Sequence, residues 1–108
     1  MFIDSHCHLD NDQFAPDRDD VVQRALDAGV EHMVAIGTGE GPPDLEAGIR
    51  LADRYPPFYC TVGIHPHDAA KATSETYQSL EQLLKHPKVV AIGEIGLDYH
   101  YDFAPREV

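Results

Sequence analysis

A chain of 108 residues, 43% apolar and 25% charged, is the size and composition of one ordinary globular domain, which excludes a disordered tract. Nineteen acidic against eight basic side chains give a formal charge of −11, which excludes broad gripping of a nucleic-acid backbone unless the basic residues share one face. No apolar run approaches the ~20 residues that cross a bilayer, and Met1-Phe2-Ile3-Asp4-Ser5-His6 lacks the regions of a secretory signal, so a cytoplasmic protein without membrane contact is expected.

In chain order, short β-rich runs alternate with segments of helical period. Phe2-Ile3 opens the first strand. A helix follows near Arg18 to Ala28, with Val21, Val22, Ala25 and Leu26 on one face and a stop at Gly29. Met33-Val34-Ala35-Ile36 is the second strand, and Gly39-Glu40-Gly41-Pro42-Pro43 the loop after it. The second helix runs from about Asp44 to Tyr55, with Leu45, Ile49 and Ala52 inward, and halts before Pro56-Pro57. Phe58-Tyr59-Cys60-Thr61-Val62 is the third strand. The third helix covers about Ser74 to His86, with Tyr77, Leu80, Leu83 and Leu84 as its apolar face, and stops before Pro87. Val89-Val90-Ala91-Ile92 is the fourth strand, expected to be buried. This alternation predicts an α/β fold of βαβ units with parallel strands, in a barrel or a doubly wound sheet.

Either architecture places its site at the carboxyl ends of the strands, and the polar residues gather there. In an extended chain residues two apart face the same way, so His6 and His8 project together and can hold one divalent ion through neutral ring nitrogens. Alone, such a pair is weak evidence. Asp4 shares their parity and could orient a ligand, or be a plain strand-end carboxylate. Cys7 faces the other way. It and Cys60 read as small buried apolar residues, with a metal role for Cys7 the lesser reading. Glu94 follows the fourth strand, where a carboxylate is costly to bury unless paired or metal-bound, and could bridge two ions; a rim salt bridge is the plainer alternative. Gly93 and Gly96 suggest close backbone approach or a tight turn. His65, in Gly63-Ile64-His65-Pro66-His67, is favoured as a substrate or phosphate contact, while His67 and Asp68 could cap the next segment. His32 and His86 lie at the far ends of the elements. The roles of Asp98, Tyr99, His100 and Asp102 stay open. No glycine-rich phosphate loop and no GxSxG elbow occurs.

Phe2-Ile3-Asp4-Ser5-His6-Cys7-His8-Leu9-Asp10, Val62-Gly63-Ile64-His65-Pro66-His67 and Ile92-Gly93-Glu94-Ile95-Gly96-Leu97-Asp98-Tyr99 together resemble the TatD family of metal-dependent deoxyribonucleases, within the amidohydrolase-like TIM-barrel hydrolases. The resemblance runs from Met1 to the last residues. It implies a (β/α)8 barrel of which residues 1–108 supply about the first four βα units, as the N-terminal part of one domain. It implies two divalent cations, one on His6 and His8 and a second bridged by Glu94, with His65 touching substrate and Asp98 near the site. Zn, Mn, Fe, Co or Ni suits such donors, with Mg suited to a water-rich position. No general base is assigned here, because the resemblance places it in the second half of the barrel. DNA or a short oligonucleotide is the implied substrate, in DNA catabolism. The alternatives are amide or ester hydrolysis by the same site, which the acidic charge favours, and an inactive truncated piece that binds metal or self-associates through open sheet edges.

Overall fold

The computed structural model describes residues 1–108 as four parallel strands and three α-helices. Strands β1 (Phe2–Cys7), β2 (Val30–Ala35), β3 (Phe58–Val62) and β4 (Val89–Ile92) lie in the order β1-β2-β3-β4. A doubly wound sheet reverses its order where its halves meet, whereas sequential order is the wall of a (β/α)8 barrel. The helices agree. Met33 and Ala35 of β2 and Phe58, Cys60 and Val62 of β3 form one core with Val22 of α1 (Arg18–Asp27) and Ile49, Leu51 and Ala52 of α2 (Ala47–Arg54). Leu80 and Leu83 of α3 (Ser74–Leu83) pack against the same cluster. All three helices therefore cover one face of the sheet, as they do outside a barrel. No helix is long and apolar enough to cross a membrane.

The elements depart from expectation where local bonds or missing neighbours decide. β1 runs on through Asp4-Ser5-His6 to Cys7, because pairing with β2 is a backbone matter that polar side chains do not prevent. α2 starts at Ala47 and not at Asp44. The Asp44 carboxylate accepts from Glu46 N and takes both Arg50 nitrogens, at 3.0 and 2.6 Å, which fixes a turn instead of a helical one. These bonds hold the Asp44 carboxyl below its ordinary range. Leu45, Ile49 and Ala52 nevertheless point inward. α3 ends at Leu83, and Leu84 to His86 continue only as tight turns before Pro87. Its start is as expected, closed by a reciprocal capping pair between Thr73 and Thr76.

Two expectations of burial fail together. β4 is an edge strand and is mostly exposed: Ile92, beside Val62 on the helix-bearing face, is 57% exposed. Tyr77, expected on the inner face of α3, is 59% exposed. Both border an apolar cleft of about 390 Å³ with Ile64, Leu80, Leu84 and Ile95. The pattern identifies apolar surface, and within residues 1–108 no strand follows β4 to pack against it.

Both cysteines are free. Burial pushes the Cys60 thiol up to about 11, so about one molecule in a thousand is thiolate at pH 8. Cys60 should resist a thiol reagent at pH 8 in the native chain and react at once in urea; fast native labelling, read by mass, would mean that the β3 core opens.

Candidate metal centre

β1 carries His6 near its carboxyl end, and His8 follows the strand. Arg18 fixes the segment beyond by donating to the carbonyls of Leu9, Asp10 and Asn11, at 2.7, 3.3 and 3.0 Å. The expected parity holds: His6 Nε2 and His8 Nε2 are 3.2 Å apart. Cys7 points away, its Sγ 3.6 Å from Val34 O and its thiol pushed by burial up to about 11, which places it with the core and not with the histidines. Asp4 does not reach either ring; its carboxylate accepts from His6 N at 3.1 Å and so braces the strand end.

Glu94 enters from the loop after β4. Its Oε2 is 3.7 Å from His6 Nε2 and its Oε1 3.5 Å from His65 Nε2. One ligand atom from each of His6, His8 and Glu94 lies within 4.8 Å of the others. The donors fit a divalent ion: two nitrogens each about 2.0–2.1 Å from one tetrahedral centre stand about 3.3 Å apart, close to the separation seen. Two neutral nitrogens and a carboxylate oxygen are the donors that borderline divalent ions take.

His65 belongs to the same rim but differs in chemistry. Its Nδ1 accepts from His67 N at 3.1 Å, so in the neutral ring the proton sits on Nε2, the atom facing Glu94. A ring held in that tautomer is a donor to an anionic oxygen and not a metal ligand. The same bond makes His65, rather than His67 or Asp68, the cap of the short 3-10 helix Pro66–Lys71. His67 instead turns its Nε2 to Asp98 Oδ2, 3.2 Å away but not aligned as a hydrogen bond. Asp98 Oδ1 accepts from His100 N and Tyr101 N, at 2.8 and 3.1 Å, and these two bonds hold its carboxyl below the ordinary range. Asp98 therefore joins the loops after β3 and β4 and lies outside the His6–His8–Glu94 group. His32 starts near the far end of β2, and His86 pairs with Asp53 at 3.0 Å.

The rim also draws on residues to which the sequence reading gives no role. Thr61, buried on β3, donates to Gly93 O at 2.7 Å and accepts from Gly37 N at 3.2 Å, tying the ends of three strands just before Glu94. A lone threonine in an apolar strand gave no signal of this. The close backbone approach expected at Gly93 is made with Gly63, where a Cβ would come within 2.8 Å of Gly93 O, and Gly96 takes the positive φ of 142° that only glycine adopts readily in a turn. Asp10, beside His8, has a buried Oδ1 without a partner, and burial raises its carboxyl above the ordinary range. Thr61→Val should cost about 1–3 kcal/mol by leaving the buried Gly37 N and the part-buried Gly93 O without their partner, and should weaken divalent-ion binding severalfold as Glu94 drifts. Urea denaturation and a metal titration measure the two effects; unchanged affinity would show that Gly93 is positioned without it.

The loops after all four strands meet at one rim, as a barrel-type site requires. The sequence profile described as TatD related DNase matches residues 3–108. The chain is 44% identical over 106 residues to the 3'-5' ssDNA/RNA exonuclease TatD of Citrobacter koseri, covering 97% of this chain and 40% of that protein. It is 37% identical over 108 residues to the "Uncharacterized metal-dependent hydrolase YabD" of Bacillus subtilis, covering all of this chain and 42% of the relative. The crystal structure of YJJV, a TatD homologue from Escherichia coli, superposes with a TM-score of 0.78 at 39% identity, over 94% of this chain and 39% of that one. The chain thus spans about two-fifths of the length of these relatives. Its strand order and this superposition make the fold α/β of the TIM-barrel type. With the motifs of β1, β3 and β4 brought to one rim and the profile matched over nearly every residue, the chain belongs to the TatD related DNase family.

Proposed function

We propose that residues 1–108 form the N-terminal part of a single barrel domain that hydrolyses phosphodiester bonds in single-stranded DNA or short oligonucleotides. The observation that carries this reading is the approach of His6, His8 and Glu94 donor atoms to within 4.8 Å, in a chain of this family. His6 and His8 would hold one divalent ion, with Glu94 as its third donor and as a ligand to a second. Such ions, when bound, supply a nucleophilic water at neutral pH and offset charge on the phosphoryl oxygens. His65 directs its Nε2–H at a non-bridging oxygen, and Asp4 holds the His6 backbone in place. No side chain of residues 1–108 is assigned as general base. Residues 1–108 carry a formal charge of −11, so on this part of the surface an anionic substrate would be met locally, at the ions, and not along an extended basic face. A cytoplasmic location is part of this reading.

The test is release of mononucleotides from an end-labelled single strand by the whole barrel domain that contains residues 1–108, supplied with zinc or manganese, with release abolished by a chelator. Cleavage of simple amides or carboxylic esters with no phosphodiester cleavage would overturn it in favour of the amide-hydrolase reading. The open β4 edge adds an expectation of self-association, since unpaired backbone groups and exposed Val90 and Ile92 invite pairing. Sedimentation should show a dimer or larger species that Ile92→Lys shifts toward monomer; a monomer at every concentration would count against it.

A further inference from the structure

Phe103 and Tyr101, aromatic side chains that neither the metal centre nor the core uses, point to how a substrate is seated. We propose that Phe103, stacked on Tyr101, is a subsite that takes one nucleobase of a single-stranded substrate; this rests on the phosphodiester reading above. An open cleft of about 550 Å³ runs from His8 and His65 past Glu40 and Lys71 to Phe103, a volume in the range of small-ligand sites. Phe103 is 63% exposed, a large apolar side chain left in water at the mouth of a polar cleft.

The aromatic pair is held in place. The rings of Phe103 and Tyr101 are near parallel, 26° apart with centroids at 5.2 Å. His67 sets its edge against both, at 4.8 and 5.4 Å, and is itself pinned beside Asp98, which also accepts from Tyr101 N. A platform anchored in this way loses little freedom when a base stacks on it.

Charge decides what the cleft can hold. Lys71, the one ammonium on its wall, is already paired with Asp68 at 2.7 Å and donates to Glu40 O at 2.9 Å. Glu40 and Asp68 make the same wall repel a phosphate. A neutral planar base suits these surroundings, while the phosphate is drawn to the His6–His8–Glu94 end. Stacking demands an unpaired base, because in a duplex both faces are covered, and it tolerates any base since each has a π-face.

The chain has no tryptophan, so Phe103→Trp places a single indole at the subsite. The probes are a hexathymidylate with cleavage-resistant phosphorothioate links and its abasic counterpart, titrated into the zinc-loaded chain. Hexathymidylate should quench the Phe103→Trp indole, and the abasic strand should not. Phe103→Ala and Phe103→Leu should each weaken hexathymidylate about tenfold, with a far smaller effect on the abasic strand; the leucine variant keeps apolar bulk and removes only the ring. An unquenched indole with unchanged hexathymidylate affinity in both variants, while backbone binding still depends on zinc, overturns the subsite alone. If neither strand binds in a zinc-dependent manner, the phosphodiester reading fails and the subsite with it.

Discussion

Replacing His6 and His8 together with alanine is expected to lower the affinity for a divalent ion by more than about 100-fold, since losing even a residue that merely orients a ligand costs about 10–100-fold. The pair supplies two of the three donor atoms that approach within 4.8 Å, and what remains, Glu94, is a single partly exposed carboxylate. Loss of fold does not confound the result, because both histidines are exposed and their imidazoles carry none of the core. His86→Ala is the matching control. It removes one of the seven histidines, but at the opposite end of the sheet, where His86 meets Asp53. Calorimetric titration with zinc should therefore separate the variants: His86→Ala binds as the parent does, and the double variant does not. Glu94→Gln should fall between them, because the amide keeps the shape and one oxygen but loses the charge. Equal affinity in the parent and the double variant would remove the metal centre from β1 altogether.

How much of this was legible before the fold was known differs by element, for physical reasons. β3 and β4 are legible to the residue because short runs rich in β-branched and aromatic side chains end there in Gly63 and Gly93. β1 was drawn too short, since Asp4-Ser5-His6 is polar, yet a strand end facing a site has no need of apolar side chains. His6 and His8 could be paired from parity alone, which depends only on extended backbone. Glu94 is legible from its place after a strand: it is only partly exposed and meets His6 and His65, the kind of partners that a carboxylate at such a strand end calls for. Tyr77 shows the same limit. Periodicity reports which side chains are apolar, whereas burial depends on what else is present to cover them. Thr61 and Phe103 had no local signature, because a hydroxyl relay between strand ends and an aromatic pair on a loop exist only after the loops have converged. The tautomer of His65 likewise needed the His67 N–H to be placed.

Gly48→Ala is expected to destabilise the chain by about 3 kcal/mol or more, although helix propensity alone predicts a gain of about 1 kcal/mol from the same change. Gly48 lies in the first turn of α2 against the end of β2, and a Cβ there would come within 2.8 Å of Gly37 Cα and 2.9 Å of Cys60 Cβ. The obstacle is backbone on one side and a fully buried side chain on the other, so no flexible group can yield. Gly37→Ala meets the same wall from the other side, with its Cβ driven against Thr61 O and 2.9 Å from Gly48 Cα. Propensity is a per-residue preference, whereas this contact fixes how closely a helix sits on two strands, so the steric clash should outweigh the gain in propensity. Against a total stability of about 5–15 kcal/mol, either change should move the urea midpoint far down; a raised midpoint for Gly48→Ala would mean that α2 can lift off the sheet at little cost. The consequence reaches the site. Gly37 N is bound to the Thr61 hydroxyl, and that hydroxyl to Gly93 O, one residue before Glu94. A helix forced away from β2 and β3 therefore pulls on the backbone that presents the carboxylate, so the Gly37 and Gly48 variants should lose divalent-ion affinity even where they remain folded.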